Sequence, residues 1–323
     1  VASAAAMMLY KTAEDGTLPF TFLGAQGLFI ALIVAIIATE IFVKLIGNPK
    51  LIIKMPDGVP PAVAKSFAAL IPSIVVLAVA AGAKELLIVL GLPDVHQALF
   101  NAIQAPLQGL AGSLGGVLVI VFMIHLLWFF GLHGSNILAP VINGIFLALT
   151  AENMAAIAAG NTEGIYIINS QFLDSYVNLG GSGLTAALVI VMIFKSKSQV
   201  NKQIRNVAGG PAFFNINEPL IFGLPIVLNP IYIIPFIAAP IISACIAYFF
   251  SAIGFVGPAI AVVPWTCPPI ISAWLATGQW QAGAVALINI VVSALIYFPF
   301  VAYADKKNLE LEQAEVAAAS ASH

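Results

Sequence analysis

One carboxylate stands alone in an apolar stretch, Asn215–Pro225 (NINEPLIFGLP). An ionisable side chain in such surroundings is costly unless it faces a cavity or a partner, which makes Glu218 a functional candidate. Pro219 disfavours helical geometry at Glu218 and can open a new helix, which Pro225 then interrupts. Asn215 and Asn217 place amide donors and acceptors beside the acid. The stretch predicts a broken membrane segment that lines a cavity; the alternative is a short loop whose glutamate points to water.

The second candidate is His133, in the sequence Gly131-Leu-His-Gly-Ser-Asn136. The apolar run Ser113–Leu149 that contains it is longer than the roughly 20 residues a helix needs to cross a bilayer, so a break is predicted at these glycines. A lone histidine on an apolar face is more often a core residue, and His125 fits that description. A polar break at membrane depth instead favours a site at His133, with Gly134 beside it.

Aromatic rings near these groups could complete a ligand pocket. Trp128 precedes His133 by five residues, and Trp265 lies in a proline-rich segment. Ring faces suit the C–H groups of sugars, whereas the alternative is an interfacial aromatic belt. The belt interpretation fits Trp274 and Trp280 better.

The composition requires a membrane setting for these residues. The 323-residue chain is 61% hydrophobic and only 8% charged, with a mean hydropathy of +1.04. Soluble domains carry about 25% charged residues. We therefore predict an all-α, polytopic integral membrane protein, with no basic patch for nucleic acid. Cys245 and Cys267 lie in apolar runs and are interpreted as packing residues rather than a disulfide or metal pair.

Several apolar runs are long enough to be membrane-crossing helices. They are predicted at Gly24–Ile46, at Phe67–Leu92, on each side of His133 within Ser113–Leu149, at Ile231–Ile253 and at Ala282–Tyr303.

Two further segments are too short or too rich in proline to span the membrane. Gln171–Gly183, which ends in Gly180-Gly-Ser-Gly183, is predicted to be a re-entrant hairpin that continues as the helix Leu184–Phe194. Gly254–Gly278, with four prolines, is predicted to be irregular or a second hairpin.

The remaining segments are polar or amphipathic. Asp94–Leu110 is predicted to be an amphipathic helix in the membrane interface. Glu152–Ser170 and Lys195–Arg205 are predicted loops, and Asp305–His323 is a predicted polar tail.

Basic residues predict the orientation of the chain in the membrane. Of the 12 Lys and Arg residues, all but Lys11 and Lys84 fall in three regions, near 44–65, 195–205 and 306–307. These regions, and with them the C-terminal tail, are predicted to be cytoplasmic. No metal-ligand spacing, nucleophile triad, Walker lysine or GxGxxG motif is present, so no cofactor, metal or catalytic residue is assigned.

Three motifs resemble a known family. Residues 214–230 (FNINEPLIFGLPIVLNP), 54–63 (KMPDGVPPAV) and 131–136 (GLHGSN) are similar to the membrane IIC component of bacterial phosphotransferase-system (PTS) sugar permeases of the lactose/cellobiose/diacetylchitobiose type. The similarity runs in order from about residue 20 to 304.

The resemblance implies a homodimeric permease in the bacterial cell membrane that carries a β-linked disaccharide across. It implies that a phosphorylated cytoplasmic IIB subunit, supplied by IIA upstream, phosphorylates the sugar at its 6-hydroxyl. The implied domains are a partial interface domain (1–93), an amphipathic connector (94–110), a sugar-binding transport domain with two re-entrant hairpins (111–304) and a cytoplasmic tail (305–323).

Family members carry further upstream spans, so the interface domain is expected to be incomplete in this chain, which starts at Val1. The resemblance implies that Glu218 and His133 bind sugar, and that Trp128 and Trp265 stack on it. We also assign Asn215, Asn217 and Gly134 to the substrate site. The chain shows no phosphoryl-carrying residue of its own.

Two other functions stay open on the residues alone. In a proton-coupled secondary transporter, Glu218 and His133 would relay protons. A membrane scaffold or receptor would have no sugar affinity at all.

Overall fold

A computed structural model describes residue 5 and residues 28–51, 53, 56, 60–91, 109–161 and 165–321. The described residues form helices joined by turns and contain no β-strand, which confirms the all-α prediction. The chain divides into two compact units, 1–107 and 108–323. The predicted connector Asp94–Leu110 lies almost wholly outside the described residues, as do the segment before Leu28 and Lys54.

The first unit contains two long helices that pack on each other. Helix α1 is Leu28–Ile46, α2 is Pro61–Ala68 and α3 is Leu70–Val89. Small residues lie where α1 meets α3: Ala38, Val76 and Ala80 are buried. Pro61 stands at the first turn of α2, where its missing N–H is not needed.

The second unit holds the remaining helices. They are α4 (Leu114–Phe129), α5 (Gly134–Ile142), α6 (Ala148–Ala158), α7 (Thr185–Lys195), α8 (Gln199–Phe213), α9 (Glu218–Gly223), α10 (Ile233–Ala252), α11 (Ile271–Thr277) and α12 (Trp280–Ala321). A π-helical turn, Asn143–Leu147, joins α5 to α6. Helix α12 packs along both α7 and α10, and α10 packs on α4. The core at these contacts includes fully buried Leu188, Phe236 and Tyr297.

Four described helical segments are long and apolar enough to cross a membrane: Pro61–Val89, Gly134–Ala158, Ile233–Ala252 and Trp280–Ser320. Helices α4 and α7 are apolar but shorter. The predicted break in Ser113–Leu149 is confirmed, because α4 ends at Phe129 and α5 begins at Gly134. The predicted helices at Leu184–Phe194 and Ile231–Ile253 are also confirmed as α7 and α10.

Three polar segments are more helical than their sequences predicted. Residues 152–158, predicted as loop, complete α6, since their alanines are strong helix formers. Most of the predicted loop Lys195–Arg205 belongs to α8. The predicted tail continues α12 to Ala321 without a break. Most charged residues of this segment, such as Lys306 and Glu310, are exposed on the helix surface and do not end the helix.

The start of α8 is held by two carboxylates from α12. Asp305 accepts hydrogen bonds from the backbone N–H groups of Lys197 (2.7 Å) and Ser198 (3.2 Å) and from the Asn201 side chain (2.8 Å). Glu312 accepts from the N–H groups of Gln199 and Val200, both at 3.0 Å. The first N–H groups of a helix have no partner within it, and negative charge is favoured at this end. These bonds therefore fix α8, which leads directly into the Asn215–Pro225 stretch.

We expect Asp305→Asn to destabilise the second unit, because an NH2 group would then face N–H donors. Asp305 is 4% exposed, and the loss of a charged acceptor costs about 1.5–3 kcal/mol. The measurement is the apparent melting temperature in detergent. The control is Glu310→Gln, which removes an exposed ion pair to Lys306 (3.8 Å), worth about 0–0.5 kcal/mol. Equal melting temperatures for the two variants would contradict this role.

Candidate sugar site

The side chain of Asn215 joins three separate segments of the second unit. Its carbonyl oxygen Oδ1 accepts from the N–H of Gly180 at 2.6 Å. Its Nδ2 group donates to the backbone carbonyls of Trp265 (2.6 Å) and Cys267 (2.9 Å). Asn215 is buried, and its φ of +62° is a left-handed conformation that asparagine tolerates better than most residues. One amide thus connects the tip of the first predicted hairpin, the Asn215–Pro225 stretch and the proline-rich segment.

The hairpin tip, residues 178–184, needs its glycines for close packing. Gly181 has a φ of +100°, and a Cβ on it would lie 2.6 Å from the Asn217 side chain. Asn217 donates from Nδ2 to the carbonyl of Ser182 at 2.8 Å. A Cβ on Gly183, at φ +83°, would collide with the ring of Phe236. The Asn215–Pro225 stretch can therefore reach the hairpin backbone only because the tip has no side chains there.

His125 is a structural residue, as its apolar sequence indicated. It is fully buried, and its Nδ1 lies 2.6 Å from the carbonyl oxygen of Val121. Its Nε2 accepts from the N–H of Gly183 at 2.7 Å, while the carbonyl of Gly183 accepts from the Tyr297 hydroxyl at 2.6 Å. This set of bonds is complete when the ring is neutral with its proton on Nδ1. His125 therefore anchors the hairpin tip to α4.

His133 and Glu218 lie side by side, although 85 residues separate them in the chain. Each stands at the start of a helix: His133 caps α5, and Glu218 is the first residue of α9. The Nε2 of His133 is 3.6 Å from Oε1 of Glu218, and their side chains are 37% and 46% exposed. His133 Nδ1 accepts from the N–H of Asn136 at 3.2 Å, so the neutral ring carries its proton on Nε2. The site therefore offers one N–H donor next to one carboxylate acceptor.

Trp128 lies behind the histidine. Its ring centroid is 4.2 Å from that of His133 at an interplanar angle of 44°, and only 2% of the residue is exposed. Its Nε1 is buried with no hydrogen-bond partner among the described residues. Trp128 is thus placed to hold the imidazole ring in position. Its indole N–H donates no hydrogen bond to any described residue.

Gly134 and Trp265, the other two predicted site residues, have different contacts. A Cβ on Gly134 would lie 2.0 Å from the carbonyl oxygen of Ile124, so glycine is what lets α5 begin against α4. Trp265 is 58% exposed, and its backbone carbonyl, not its ring, is what contacts Asn215. The backbone of the downstream turn is fixed as well, since the N–H of Leu228 donates to Phe129 at 2.9 Å.

The structure also brings Ser182 and Ser135 to this region. Their hydroxyl oxygens are 3.2 Å apart, which links the hairpin tip to the first turn of α5. Sequence reasoning used Gly180–Gly183 only as a turn signal and did not connect it to His133. The two serines are 47 residues apart. Only tertiary structure could show that they meet.

Comparison with known proteins identifies the class of this chain. The family model "Phosphotransferase system, EIIC" matches residues 1–240. The chain therefore belongs to the phosphotransferase system EIIC family.

Individual relatives are similar over nearly all of the chain. The lichenan permease IIC component of Bacillus subtilis (strain 168) is 44% identical, over 92% of this chain and 66% of the relative. The cellobiose-specific EIIC component of Geobacillus stearothermophilus is 41% identical, over 93% of this chain and 67% of the relative. The chain thus spans about two thirds of the length of these relatives.

A solved structure shares the fold. The crystal structure of ChbC, the IIC component from the N,N'-diacetylchitobiose-specific phosphotransferase system, matches with a TM-score of 0.84 and 38% identity. The match covers 92% of this chain and 69% of that one. The fold of a multi-pass membrane transporter component is therefore shown for this chain.

We expect Asn215→Asp to disrupt the site. The change keeps the acceptor oxygen for Gly180 but puts a carboxylate oxygen opposite two backbone carbonyls, so two bonds are lost and the contact becomes repulsive. Removing partners from buried polar groups costs about 1–3 kcal/mol each. Sugar affinity should fall by at least about ten-fold, as measured by titration of detergent-purified protein.

Asn229→Asp is the matched control for this substitution. Among the described residues, the side chain of Asn229 bonds only through its Oδ1, which accepts from the N–H of Ile231 at 3.0 Å, so aspartate can replace it there. Equal affinities for the two variants would show that Asn215 does not organise the site.

Proposed function

We propose that this chain is the sugar-binding IIC part of a phosphotransferase-system permease, and that a β-linked disaccharide binds at His133 and Glu218. The observation that carries the proposal is the half-exposed pair of donor and acceptor at two helix starts, 3.6 Å apart. Because 3.6 Å is longer than a strong hydrogen bond, neither group is fully satisfied by the other. Both remain available to the hydroxyl groups of one sugar ring.

The chemistry of the two groups suits a polyhydroxylated ligand. An ionised carboxylate accepts two hydroxyl hydrogen bonds, and these charge-assisted bonds are stronger than neutral ones. The Nε2–H of His133 donates to a neighbouring hydroxyl, and Trp128 holds the ring from behind. Asn217 and Asn215 act as positioning residues, since their amides are already bonded to backbone. Trp265, with its exposed ring, is proposed to stack on the sugar.

The relatives support the choice of sugar. Those compared above are named for lichenan and for cellobiose, and the structural neighbour for N,N'-diacetylchitobiose. These are β-linked sugars. We therefore assign a β-linked disaccharide as the substrate class.

The proposed reaction partner is a phosphorylated IIB subunit with IIA upstream, and the proposed assembly is a homodimer. A lactose-specific relative from Lacticaseibacillus casei is named as a fused EIICB component, which supports a IIB partner. In this arrangement residues 111–304 are the transport domain, with re-entrant hairpins at 171–183 and 254–278, and residues 1–93 are the partial interface domain. The phosphoryl group stays on the partner until it reaches the sugar 6-hydroxyl.

Uptake into proteoliposomes separates this reading from a proton-coupled transporter. Sugar accumulated only with phosphorylated IIB, and recovered as the 6-phosphate, supports the proposal. Unmodified sugar accumulated with a proton gradient and no IIB would favour the secondary transporter. The readout is the chemical form of the imported sugar.

The orientation is proposed from charge. Lys195, Lys197, Lys202, Lys306 and Lys307 lie at one end of the second unit, because Asp305 of α12 bonds to residues 197–201. The positive-inside rule places this end, and the C-terminus, in the cytoplasm. Lys197→Cys in a cysteine-free protein should resist an impermeant thiol reagent added to intact cells. Labelling from outside would reverse the orientation.

We expect Glu218→Gln to weaken sugar binding. Glutamine keeps the volume but replaces one acceptor oxygen with a donor, which removes a charged hydrogen bond worth about 1.5–3 kcal/mol, or about ten-fold to a hundred-fold in affinity. The measurement is a titration with cellobiose on protein that remains monodisperse in detergent. Glu310→Gln, the same change on an exposed part of α12, should bind as the unmodified protein does. Unchanged affinity in Glu218→Gln would remove this residue from the site.

A further inference from the structure

A cavity lies in the second unit, lined by residues other than those of the candidate sugar site. It has a volume of about 500 Å³, and none of the residues of the sugar site lines it. Its walls come from the end of α6, from residues 165–176, which include the base of the first predicted hairpin, from the end of α10 with the turn that follows, and from the end of α11. Pockets for small ligands typically occupy about 300–1,000 Å³. The cavity is thus large enough for a sugar ring.

The cavity lies at the opposite end of the unit from the basic residues. Thr277, which lines it, comes just before α12 begins at Trp280, whereas Asp305, 25 residues further along α12, bonds to the start of α8. At 1.5 Å per residue these two points are about 37 Å apart, roughly the thickness of a membrane. With the basic end in the cytoplasm, the cavity opens on the outer side.

The first predicted hairpin contacts both the candidate sugar site and the cavity. Its tip, at Gly180–Gly183, contacts Asn215, Asn217 and His125 beside the sugar site. Its base lines the cavity, and the carboxamide oxygen of Gln171 accepts from the N–H of Val263 at 2.9 Å, so the base is tied to the proline-rich segment. The tip is tied to the same segment through Asn215. A molecule in the cavity therefore touches the same two segments that shape the sugar site.

Two residues of the cavity wall have buried hydroxyl groups with no hydrogen-bond partner among the described residues. Ser175 and Tyr176 line the cavity, are 1% and 4% exposed, and each has a buried hydroxyl oxygen with no hydrogen bond among the described residues. Buried polar groups are almost always hydrogen-bonded, so two such hydroxyls in one wall call for a partner. Ser251, at the end of α10, also lines the cavity.

The other lining residues indicate which kind of ligand would fit the cavity. None of the described residues that line the cavity is charged, which disfavours phosphates, carboxylates and metal ions. Phe172 and Tyr176 meet edge to face with centroids 5.6 Å apart, and four isoleucines and several smaller aliphatic residues also line the cavity. Neutral hydroxyls beside aromatic and aliphatic surface match a sugar ring, which has both hydroxyl edges and C–H faces.

We propose that this cavity is a second sugar-binding site on the outer side of the protein, which receives the sugar before it reaches His133 and Glu218. The choice of ligand rests on the proposed function. Its affinity is lower than that of the inner site, because it offers only neutral hydrogen bonds and no carboxylate.

The test is the number of cellobiose molecules bound per chain, measured by equilibrium dialysis of the full chain with radiolabelled cellobiose in two different detergents. The unmodified protein should bind two equivalents, one tighter than the other. Glu218→Gln should retain the weaker one. Ser251→Phe, which fills the cavity at the end of α10, should lose the weaker equivalent and keep the tighter one.

Tyr176→Phe tests the cavity without altering its shape. It removes only a hydroxyl that has no hydrogen-bond partner in the part of the chain that the structure describes, so the melting temperature should not fall. The affinity of the weaker site should drop about five-fold. Tyr303→Phe, at an exposed position of α12, is the matched control and should change neither site.

The binding measurements distinguish a failure of the cavity site from a failure of the site at His133 and Glu218. A single equivalent that Glu218→Gln weakens and that Tyr176→Phe leaves unchanged would overturn the cavity site, as lipid, detergent or water would then fill it, while the inner site would stand. Two equivalents that Ser251→Phe reduces to one, but that Glu218→Gln leaves unchanged, would support the cavity and overturn the inner site. Two equivalents in Ser251→Phe with unaltered affinities would also overturn the cavity site.

Discussion

The arrangement around the candidate sugar site depends on the three hydrogen bonds of Asn215. The segments that meet there are irregular, and irregular backbone within a membrane protein must find partners inside the protein. Asn215 supplies one acceptor and two donor bonds to three such groups at 2.6–2.9 Å. Without that side chain, the N–H of Gly180 and the carbonyls of Trp265 and Cys267 would lose these hydrogen bonds. The positive φ of Asn215 is the backbone strain that goes with this junction, whereas the glycines of the hairpin tip adopt positive φ without such strain.

The histidines of α4 and at the start of α5 have different roles: one stabilises the fold, and the other is available to bind a ligand. His125 is fully buried, and both of its ring nitrogens contact backbone groups. His133 uses one nitrogen to cap α5 and keeps the other beside Glu218, half exposed. Buried amides and the neutral imidazole of His125 fix the backbone. The groups that could bind a ligand are left in reach of solvent, where an empty site does not leave a charge stranded in apolar surroundings.

The sequence predicted much of this, because proline, glycine and charge have local consequences. The helix start at Pro219, the break at Gly131–Gly134 and the choice of Glu218 and His133 all followed from single residues in apolar surroundings. The helices at residues 152–158, 199–205 and 305–321 could not be predicted in this way, because polar residues occur both in loops and on the exposed faces of helices. The first turn of α8 depends on Asp305 and Glu312, more than 100 residues away. The contact of Ser135 with Ser182 and the buried position of Trp128 likewise depend on tertiary packing.

The central claim is that His133 and Glu218 hold one sugar together. The most direct measurement is a double-mutant cycle of cellobiose affinity with Glu218→Gln, His133→Ala and the combined variant, each checked for an unchanged melting temperature. Groups that bind one sugar ring are coupled, so the combined loss should fall short of the sum of the single losses by more than about 0.5 kcal/mol. Losses that add within error, or single variants that bind as tightly as the unmodified protein, would contradict the claim.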